Sequence, residues 1–295
     1  MKIIFCDSVI DRKMVEPAYE TEYLAAKANG LDTALISHEA LVDEENLRKA
    51  IALVKSAPEK ELAIYRGWMM PVEAYEKLYD GLLAKNIELV NTPEAYANGH
   101  LFPESYPLIK AQTPKSIIIP EYDMHHEKVL KAALSLLDGA AIVKDYVKSL
   151  KHYWEEACYI PDITNWEHAS RVINRFIELQ GSSLQGGLVL REYVSLRMIA
   201  DHSQSGMPLA EEYRVFFLRR TPILIIPYWG EGTYDSSLSL PDELLSIGQS
   251  IESNFFTMDV ARLEDGGWII MELGDGQVAG LPERTNINDF YKLLL

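Results

Sequence analysis

The sequence predicts a mixed fold, a parallel α/β region followed by an α+β region, and three observations support this prediction. Over roughly the first 95 residues, short apolar runs alternate with amphipathic stretches, which is the pattern of βα units. Past Arg197, most apolar runs have the composition of strands. A chain of 295 residues is also long enough to divide its core between domains. We therefore expect domains over residues 1–95, 96–194 and 195–295.

The first domain is predicted to be a small parallel sheet with helices between its strands. The strands are expected over residues 2–6, 32–36, 62–65 and 87–90, and the helices over 16–29, 43–55 and 72–85. Gly30 follows the first helix, and glycine readily takes the left-handed conformation that ends many helices. Because a helix separates each strand from the next, the strands are expected to pair in parallel.

The other two domains are predicted to be richer in strands. Residues 96–113 are expected to be irregular, because Pro103 and Pro107 interrupt helix formation. The second domain then has strands over 116–119, 140–144 and 188–194, helices over 126–138 and 165–180, and a loop over 181–187. The third has strands over 212–218, 223–228, 255–263 and 268–273 and one helix over 241–253. The tripeptide Asp265-Gly266-Gly267 predicts a hairpin between the last two strands.

The charge of the chain excludes several classes of partner. With 44 acidic and 28 basic side chains, the formal net charge is −16. A surface of this sign repels phosphate backbones and anionic lipids, so we expect neither nucleic acid nor a membrane as a direct partner. No apolar run has the length of a signal peptide core or a membrane span, and two cysteines cannot form a disulfide framework. We therefore place the protein in the cytoplasm.

Three acidic residues of the C-terminal hairpin form the most informative motif. Asp259 lies in one strand, and Glu272 and Asp275 lie near the end of its partner. An antiparallel pairing about Gly266 and Gly267 brings these carboxylates toward one another, and a few carboxylates are what Mg²⁺ takes from a protein. On spacing alone, the alternative that each acid is a solvated strand or turn residue stays open.

Basic residues at the end of a predicted strand suit a phosphate group. Lys144 ends the strand over 140–144, so the strand fixes its stem while the ammonium is free to neutralise phosphate oxygens. Lys148 and Lys151 follow in the next loop. An ordinary lysine that ends a strand in a solvated loop is the alternative, although three lysines are a local excess in so acidic a chain.

Two other segments offer groups for a nucleotide or an anionic substrate. The strand that ends at Glu192, Tyr193 and Val194 continues as a linker, whose backbone groups match the edge of an adenine ring. Arg214 lies in a strand between apolar neighbours, where it would hold a carboxylate or phosphoryl group bidentately or form a surface ion pair. Arg66 ends the third strand of the parallel sheet, at the edge where open α/β sheets bind ligands, or is simply a strand-end arginine.

Taken in order, these segments resemble the ATP-grasp superfamily, and more closely its clade named for a characteristic arginine and two lysines. The matching stretches are YRGW at 65–68, NTP at 91–93, TPKS at 113–116, IVKDYVKS at 142–149, LREYV at 190–194, EYRVFF at 212–217 and MELGDGQ at 271–277. The sequence departs from the superfamily pattern where DYVK follows Lys144 in place of a glycine-rich loop. It departs again where Gly274 occupies the position of the usual third metal ligand, an asparagine.

The resemblance implies a pre-ATP-grasp domain followed by two lobes that grip ATP. It also implies a reaction in which a carboxylate is phosphorylated and the acyl phosphate is captured by an amine. By the same resemblance, Lys144 and Lys148 hold the phosphates of ATP, and residues 192–194 meet adenine and ribose. Asp259, Glu272 and Asp275 bind Mg²⁺, and Arg214 stabilises charge on the transferring group. Apart from the resemblance, we expect Arg66 and Arg197 to anchor an anionic substrate.

The leading prediction is therefore an ATP-dependent carboxylate–amine ligase that acts on an amino acid, a peptide or another small acid. One alternative is a non-catalytic ATP- or peptide-binding module that retains the fold. Another is an acidic interaction protein that binds no nucleotide. No residue of the sequence selects the two substrates or the oligomeric state.

Overall fold

The computed structural model describes residues 1–203, 208–235 and 239–295, which divide into two compact units. Unit 1 comprises Met1–His100, Ile199–Val260 and Leu273–Leu295, and unit 2 comprises Leu101–Met198 and Ala261–Glu272. The division into three domains stays a prediction. Within the described part of the chain, no helix combines the length and the apolar character that crossing a bilayer requires.

The N-terminal segment of unit 1 contains the predicted parallel sheet. Its strands are β1 (Lys2–Cys6), β2 (Asp32–Ile36), β3 (Glu61–Arg66) and β4 (Ile87–Leu89), in the order β2-β1-β3-β4. The helices between them are α1 (Glu20–Ala28), α2 (His38–Val42), α3 (Leu47–Ala50) and α4 (Val72–Leu83). Gly30 has a φ of 76°, as expected for the glycine that follows α1.

Two local predictions for helices were wrong. Of the single helix expected over residues 43–55, only α3 is present, because Glu45 takes a φ of 48° and Asn46 caps α3 by accepting the backbone N–H of Lys49, whereas α2 ends before this range. The stretch expected to be irregular contains α5 (Pro93–His100) and α6 (Phe102–Ile109). Pro103 lies in the first turn of α6, where no backbone donor is needed, and α6 also accommodates Pro107.

Unit 2 is built around an antiparallel sheet. Its strands are β5 (Ser116–Ile119), β6 (Ala141–Asp145), β7 (Tyr159–Ile160) and β8 (Leu188–Glu192), in the order β5-β8-β6-β7, and its longer helices are α7 (Glu127–Leu134) and α8 (Trp166–Gln180). The register pairs Lys144 with Val189 and Ile142 with Arg191. Because alternate residues share one face, Lys144 and Arg191 extend from the same face of this sheet.

The C-terminal part of the chain supplies two more sheets. Strands β9 (Met198–Asp201) and β10 (Pro208–Ala210) form a pair, and β11 (Glu212–Leu218), β12 (Thr221–Pro227), β13 (Phe255–Arg262) and β14 (Trp268–Asp275) form a sheet in the order β12-β11-β13-β14. Helices α9 (Asp242–Ser250) and α10 (Ile287–Leu293) complete the fold. In unit 1, Phe216 and Phe255 share a core with Phe5 of the parallel sheet and Phe290 of α10.

Candidate functional site

In unit 2, Lys144 forms a partly buried ion pair with Glu272. The Nζ atom of Lys144 lies 3.1 Å from Oε1 of Glu272, and 5.2 Å from the centre of the Phe102 ring. The lysine side chain is 6% exposed, whereas the glutamate side chain is 44% exposed. Solvent therefore reaches the pair through the carboxylate, while the ammonium is held between an acid and an aromatic face.

Positive charges keep Glu272 ionised. Burial alone would raise its pKa, but the nearby charges of Lys144 and Lys151 outweigh burial and hold the pKa below its usual value. Glu272 thus presents a carboxylate with a full negative charge at neutral pH, as a metal ligand must.

A buried aspartate shapes the turn that carries Lys148. Oδ1 of Asp145 accepts the backbone N–H groups of Val147 at 2.7 Å and Lys148 at 2.5 Å. Its Oδ2 accepts Nε2 of Gln180 and the backbone N–H of Gln185. Burial raises the pKa of Asp145 more than these hydrogen bonds lower it. The sequence analysis did not single out Asp145, although an aspartate directly after a strand is a known turn signal.

The predicted linker after β8 is fixed at its start. The backbone N–H of Glu192 donates to Lys115 O at 2.8 Å, and that of Tyr193 donates to Ala140 O at 2.9 Å. The Tyr193 ring is half-exposed and lies edge-on to Tyr159, with 5.0 Å between the ring centres. The role of residues 192–194 toward adenine stays a prediction.

In unit 1, Arg214 grips Asp259 with both branches of its guanidinium. Nε and Nη2 each lie 2.7 Å from a carboxylate oxygen, and Nη1 donates to Gly280 O at 2.8 Å. The ring of Tyr228 lies 4.9 Å from the guanidinium carbon. With side chains 15% and 8% exposed, this pair is not the surface ion pair that the sequence left open.

Asp275 lies in a buried hydrogen-bond network of unit 1. Its Oδ2 accepts Nδ2 of Asn91 at 2.5 Å, and its Oδ1 accepts the backbone N–H of Gln277 at 2.9 Å. Burial raises the pKa of Asp275 to about 7, because desolvation outweighs the hydrogen bonds that lower it. Both carboxylate oxygens of Asp275 thus accept hydrogen bonds from neighbouring groups of unit 1.

The structure does not assemble the three predicted metal ligands. Across residues 1–203, 208–235 and 239–295, no group of three histidine, cysteine, aspartate or glutamate side chains is placed to hold a metal ion. Asp259 and Glu272 fit a magnesium site by their chemistry, since each is a carboxylate balanced by a cation. Asp275 is held by Asn91 and Gln277, and its role as a metal ligand stays a prediction.

Arg66 makes structural contacts within unit 1, and its role as a substrate anchor stays a prediction. Its guanidinium binds both oxygens of Glu22 at 2.9 and 3.0 Å, and its Nη1 donates to the carbonyls of Gly276 and Ala279. The residue is 1% exposed. The cavity of about 250 Å³ after β1, β2 and β3 is lined by Val9, His38, Trp68 and four acidic residues, Asp7, Glu16, Glu39 and Asp43.

Arg197, the other predicted anchor, is an exposed residue of unit 2 whose backbone N–H donates to Arg262 O at 2.9 Å. Its role toward a substrate stays a prediction. The sequence analysis also missed Phe102, Thr113 and Arg191, which surround the Lys144–Glu272 pair. Only the arginine left a signal, as a charged residue inside an apolar strand.

Solved structures with the same fold include several ATP-grasp proteins. A RimK domain protein from Sphaerobacter thermophilus has a TM-score of 0.61 and 14% identity, covering 99% of this chain and 96% of its own. D-cycloserine synthetase DcsG has a TM-score of 0.57 and 11% identity, with 100% and 98% covered. The ligase PsnB, solved with a precursor variant, Mg and ADP, has a TM-score of 0.57 and 12% identity, with 99% and 96% covered. These similarities confirm the predicted ATP-grasp fold.

Sequence comparisons give the family. A search of curated proteins found no match to this chain. The family model for the ATP-grasp domain, R2K clade family 3, matches residues 133–294, which is more than half of the chain. The matched range contains Lys144, Arg214, Asp259 and Glu272. The chain therefore belongs to the ATP-grasp domain family, R2K clade family 3.

Proposed function

We propose that this protein is an ATP-dependent ligase that joins a carboxylate to an amine through an acyl phosphate. One observation carries the proposal beyond family membership. Each of two predicted phosphate-binding cations is already paired with a predicted metal-binding acid, Lys144 with Glu272 and Arg214 with Asp259. Such pairs suit a magnesium nucleotide, because the acids can bind its Mg²⁺ and the basic residues can bind its phosphates.

In this proposal, the paired basic and acidic side chains exchange each other for the phosphates and Mg²⁺ when the nucleotide binds, so every charge keeps a partner. Lys144 and Lys148 would neutralise phosphate oxygens of ATP, and residues 192–194 would contact adenine and ribose. Asp259 and Glu272 would hold Mg²⁺, which neutralises phosphate charge when bound. Because each acid is released by the cation that turns to phosphate, no buried charge is left without a partner.

The reaction has two steps. A carboxylate oxygen of the substrate attacks the γ-phosphorus of ATP, the bond to the bridging oxygen breaks, and ADP leaves. The nitrogen of the amine then attacks the acyl carbon, and phosphate leaves with the bonding electrons. Arg214 would stabilise charge on the transferring phosphoryl group, because its planar fork matches two oxygens at once.

The acid is an amino acid, a peptide or another small acid. Among the proteins of this fold, PsnB was solved with a precursor and DcsG is a D-cycloserine synthetase, which supports both peptides and small molecules as candidates. We also propose that the ligase works in the cytoplasm, where ATP is present and its two buried cysteines stay reduced.

Calorimetry of ATP binding with and without Mg²⁺ tests the proposal. We expect Mg²⁺-dependent binding that weakens at least about 10-fold in Lys144→Ala and in Glu272→Gln. Lys131→Ala is the matched control, because Lys131 also pairs with a glutamate, Glu127, but on the surface of α7. Binding that is independent of Mg²⁺, or equally weak in the control, would contradict the proposal.

A non-catalytic binding module is the second candidate, and a trapping assay separates it from a ligase. Hydroxylamine converts an acyl phosphate to a hydroxamate, so wild-type protein with ATP, Mg²⁺ and a panel of amino acids and dipeptides should yield hydroxamate for at least one acid. Nucleotide binding without hydroxamate from any member of a broad panel would favour the module.

A further inference from the structure

Arg191 is a buried arginine that contacts both the Phe102 ring beside Lys144 and the backbone just before Glu272. It lies on β8 and is 7% exposed. Its Nη1 donates to Met271 O at 2.7 Å, and its Nη2 donates to Oγ1 of Thr113 at 2.8 Å and to Ile270 O at 3.3 Å. Both backbone carbonyls belong to the two residues that directly precede Glu272.

These contacts replace a missing strand. β14 is the last strand of its sheet, so one side of its backbone has no neighbouring strand to pair with. At residues 270–271 the partners come from elsewhere in unit 2. Gln112 O accepts the backbone N–H of Ile270 at 2.7 Å, and Thr113 Oγ1 donates to Ile270 O at 2.8 Å. Arg191 adds the bond to Met271 O and thereby fixes the backbone next to Glu272.

The same arginine also supports the lysine. The ring of Phe102 lies 5.6 Å from the guanidinium carbon of Arg191 and 5.2 Å from Nζ of Lys144. Both cations extend from one face of the unit 2 sheet, as the register of β6 and β8 requires. Arg191 and Phe102 therefore form one packed support behind the ion pair.

Packing alone does not call for an arginine at this position. Burying a guanidinium costs free energy that an apolar side chain would not, and that cost is offset only by well-placed hydrogen bonds. Arg191 directs its bonds to the backbone of the residues that carry Glu272. An arginine suits this task because its rigid fork reaches two acceptors at once, which the single ammonium of a lysine does less well.

We infer that Arg191, assisted by Thr113, is a positioning residue that sets the carboxylate of Glu272 against the ammonium of Lys144. The functional part of this inference rests on the proposed function, in which Glu272 holds Mg²⁺ and Lys144 binds phosphate. In this scheme Arg191 contacts neither Mg²⁺ nor phosphate, and it acts through the backbone of β14.

Two measurements on Arg191→Lys test the inference. Without any ligand, amide exchange at residues 270–273 should accelerate about 10-fold, with the rest of unit 2 unchanged. The Mg²⁺ concentration for half-maximal ATP binding should rise by about 10-fold, as is usual when the support of a metal ligand is lost. Thr113→Val removes two hydrogen bonds of the hydroxyl, to Ile270 O and from Arg191, at nearly constant volume and should shift both values in the same direction by about 3-fold.

Arg284→Lys is the matched control. Arg284 also bridges two backbone carbonyls, of Gly230 and Gly232, and also lies on an aromatic ring, that of Tyr234. Arg284 belongs to unit 1, whereas residues 270–271 belong to unit 2, and Arg284→Lys should leave the Mg²⁺ midpoint within about 2-fold of wild type.

A double-mutant comparison separates positioning from a general loss of structure. In a Glu272→Gln background, Arg191→Lys should change the Mg²⁺ midpoint by less than about 2-fold, because its effect passes through Glu272. An equal effect in both backgrounds, or unchanged exchange at 270–273, would overturn the inference. If wild-type protein binds no ATP at all, the proposed function fails, and the exchange measurement still decides whether Arg191 fixes this segment.

Discussion

Two arginine–carboxylate pairs of unit 1 have the same chemistry and different surroundings. Arg66 binds both oxygens of Glu22 at 2.9 and 3.0 Å, and Arg214 binds both oxygens of Asp259 at 2.7 Å. Each guanidinium also lies on an aromatic ring, Phe290 for Arg66 and Tyr228 for Arg214. Fork geometry and ring contact therefore do not distinguish a structural arginine from one that serves a ligand.

The number of backbone contacts and the access of solvent do distinguish them. Arg66 donates to the carbonyls of Gly276, Gln277 and Ala279, and its side chain is 1% exposed. Arg214 donates to the carbonyl of Gly280, and its side chain is 15% exposed. Arg66 thus ties together the chain segment after β14, whereas Arg214 is more exposed and is the arginine that we propose acts on the transferring phosphoryl group.

The largest effect is expected for Arg66→Met. This change leaves the carboxylate of Glu22 buried without its cation and removes the hydrogen bonds to the segment after β14. Breaking one side of a buried ion pair costs about 3–5 kcal/mol, so we expect the free energy of unfolding to fall by that amount. Urea unfolding followed by circular dichroism measures it.

The double variant Arg66→Met with Glu22→Leu is the control for this prediction. Replacing both charges by apolar groups removes the unpaired carboxylate, so the double variant should be more stable than the single one. A single variant that unfolds at the wild-type urea concentration would mean that the Arg66 pair does not stabilise unit 1.

The next largest effect is expected for Arg214→Met, and it should fall on catalysis. Losing a preorganised donor to transition-state charge costs about 10²–10³ in turnover, which should appear in phosphate release with any acid that yields hydroxamate. The free energy of unfolding should fall less than in Arg66→Met, because Arg214 donates to one backbone carbonyl where Arg66 donates to three. Equal turnover in Arg214→Met and wild type would favour a non-catalytic module.

Much of the fold follows from sequence patterns, because the patterns are local. The alternation of apolar runs and helices predicts β1 to β4 with nearly correct bounds, and the 3.6-residue period predicts α8. Pro103 misled the prediction because a proline in a first turn is compatible with a helix. Strands β9 and β10 and helix α10 were not predicted, since each is short and has weak periodicity.

The candidate site is predictable only in part, because burial depends on residues far apart in sequence. Lys144 and Arg214 are predictable because each is a charged residue within an apolar strand. Glu22 lies 44 positions before Arg66, and Asn91 lies 184 positions before Asp275. No local pattern indicates such partners, so sequence reasoning did not predict the buried contacts that Arg66 and Asp275 make, and their ligand roles stay predictions.

The smallest effects are expected for the two aromatic rings that contact Arg214 and Arg66. They test the same difference between the two arginines. Tyr228→Leu removes the aromatic face from Arg214, and a cation–π contact of this kind contributes about 0.5–1 kcal/mol. We expect phosphate release to slow about 2–5-fold while the free energy of unfolding changes little, because Tyr228 is only partly buried. Phe290→Leu removes the ring next to Arg66 from the core of unit 1.

Phe290→Leu should therefore lower the free energy of unfolding by about 1 kcal/mol and leave phosphate release within about 2-fold of wild type. Urea unfolding and phosphate release, measured on both variants, show whether each ring contributes to stability or to activity. If both variants lost stability and neither lost activity, the ring beside Arg214 would be as structural as the ring beside Arg66. We expect instead that Tyr228→Leu slows phosphate release and that Phe290→Leu lowers stability. An aromatic ring affects a reaction only where solvent and substrate can reach the cation that contacts it.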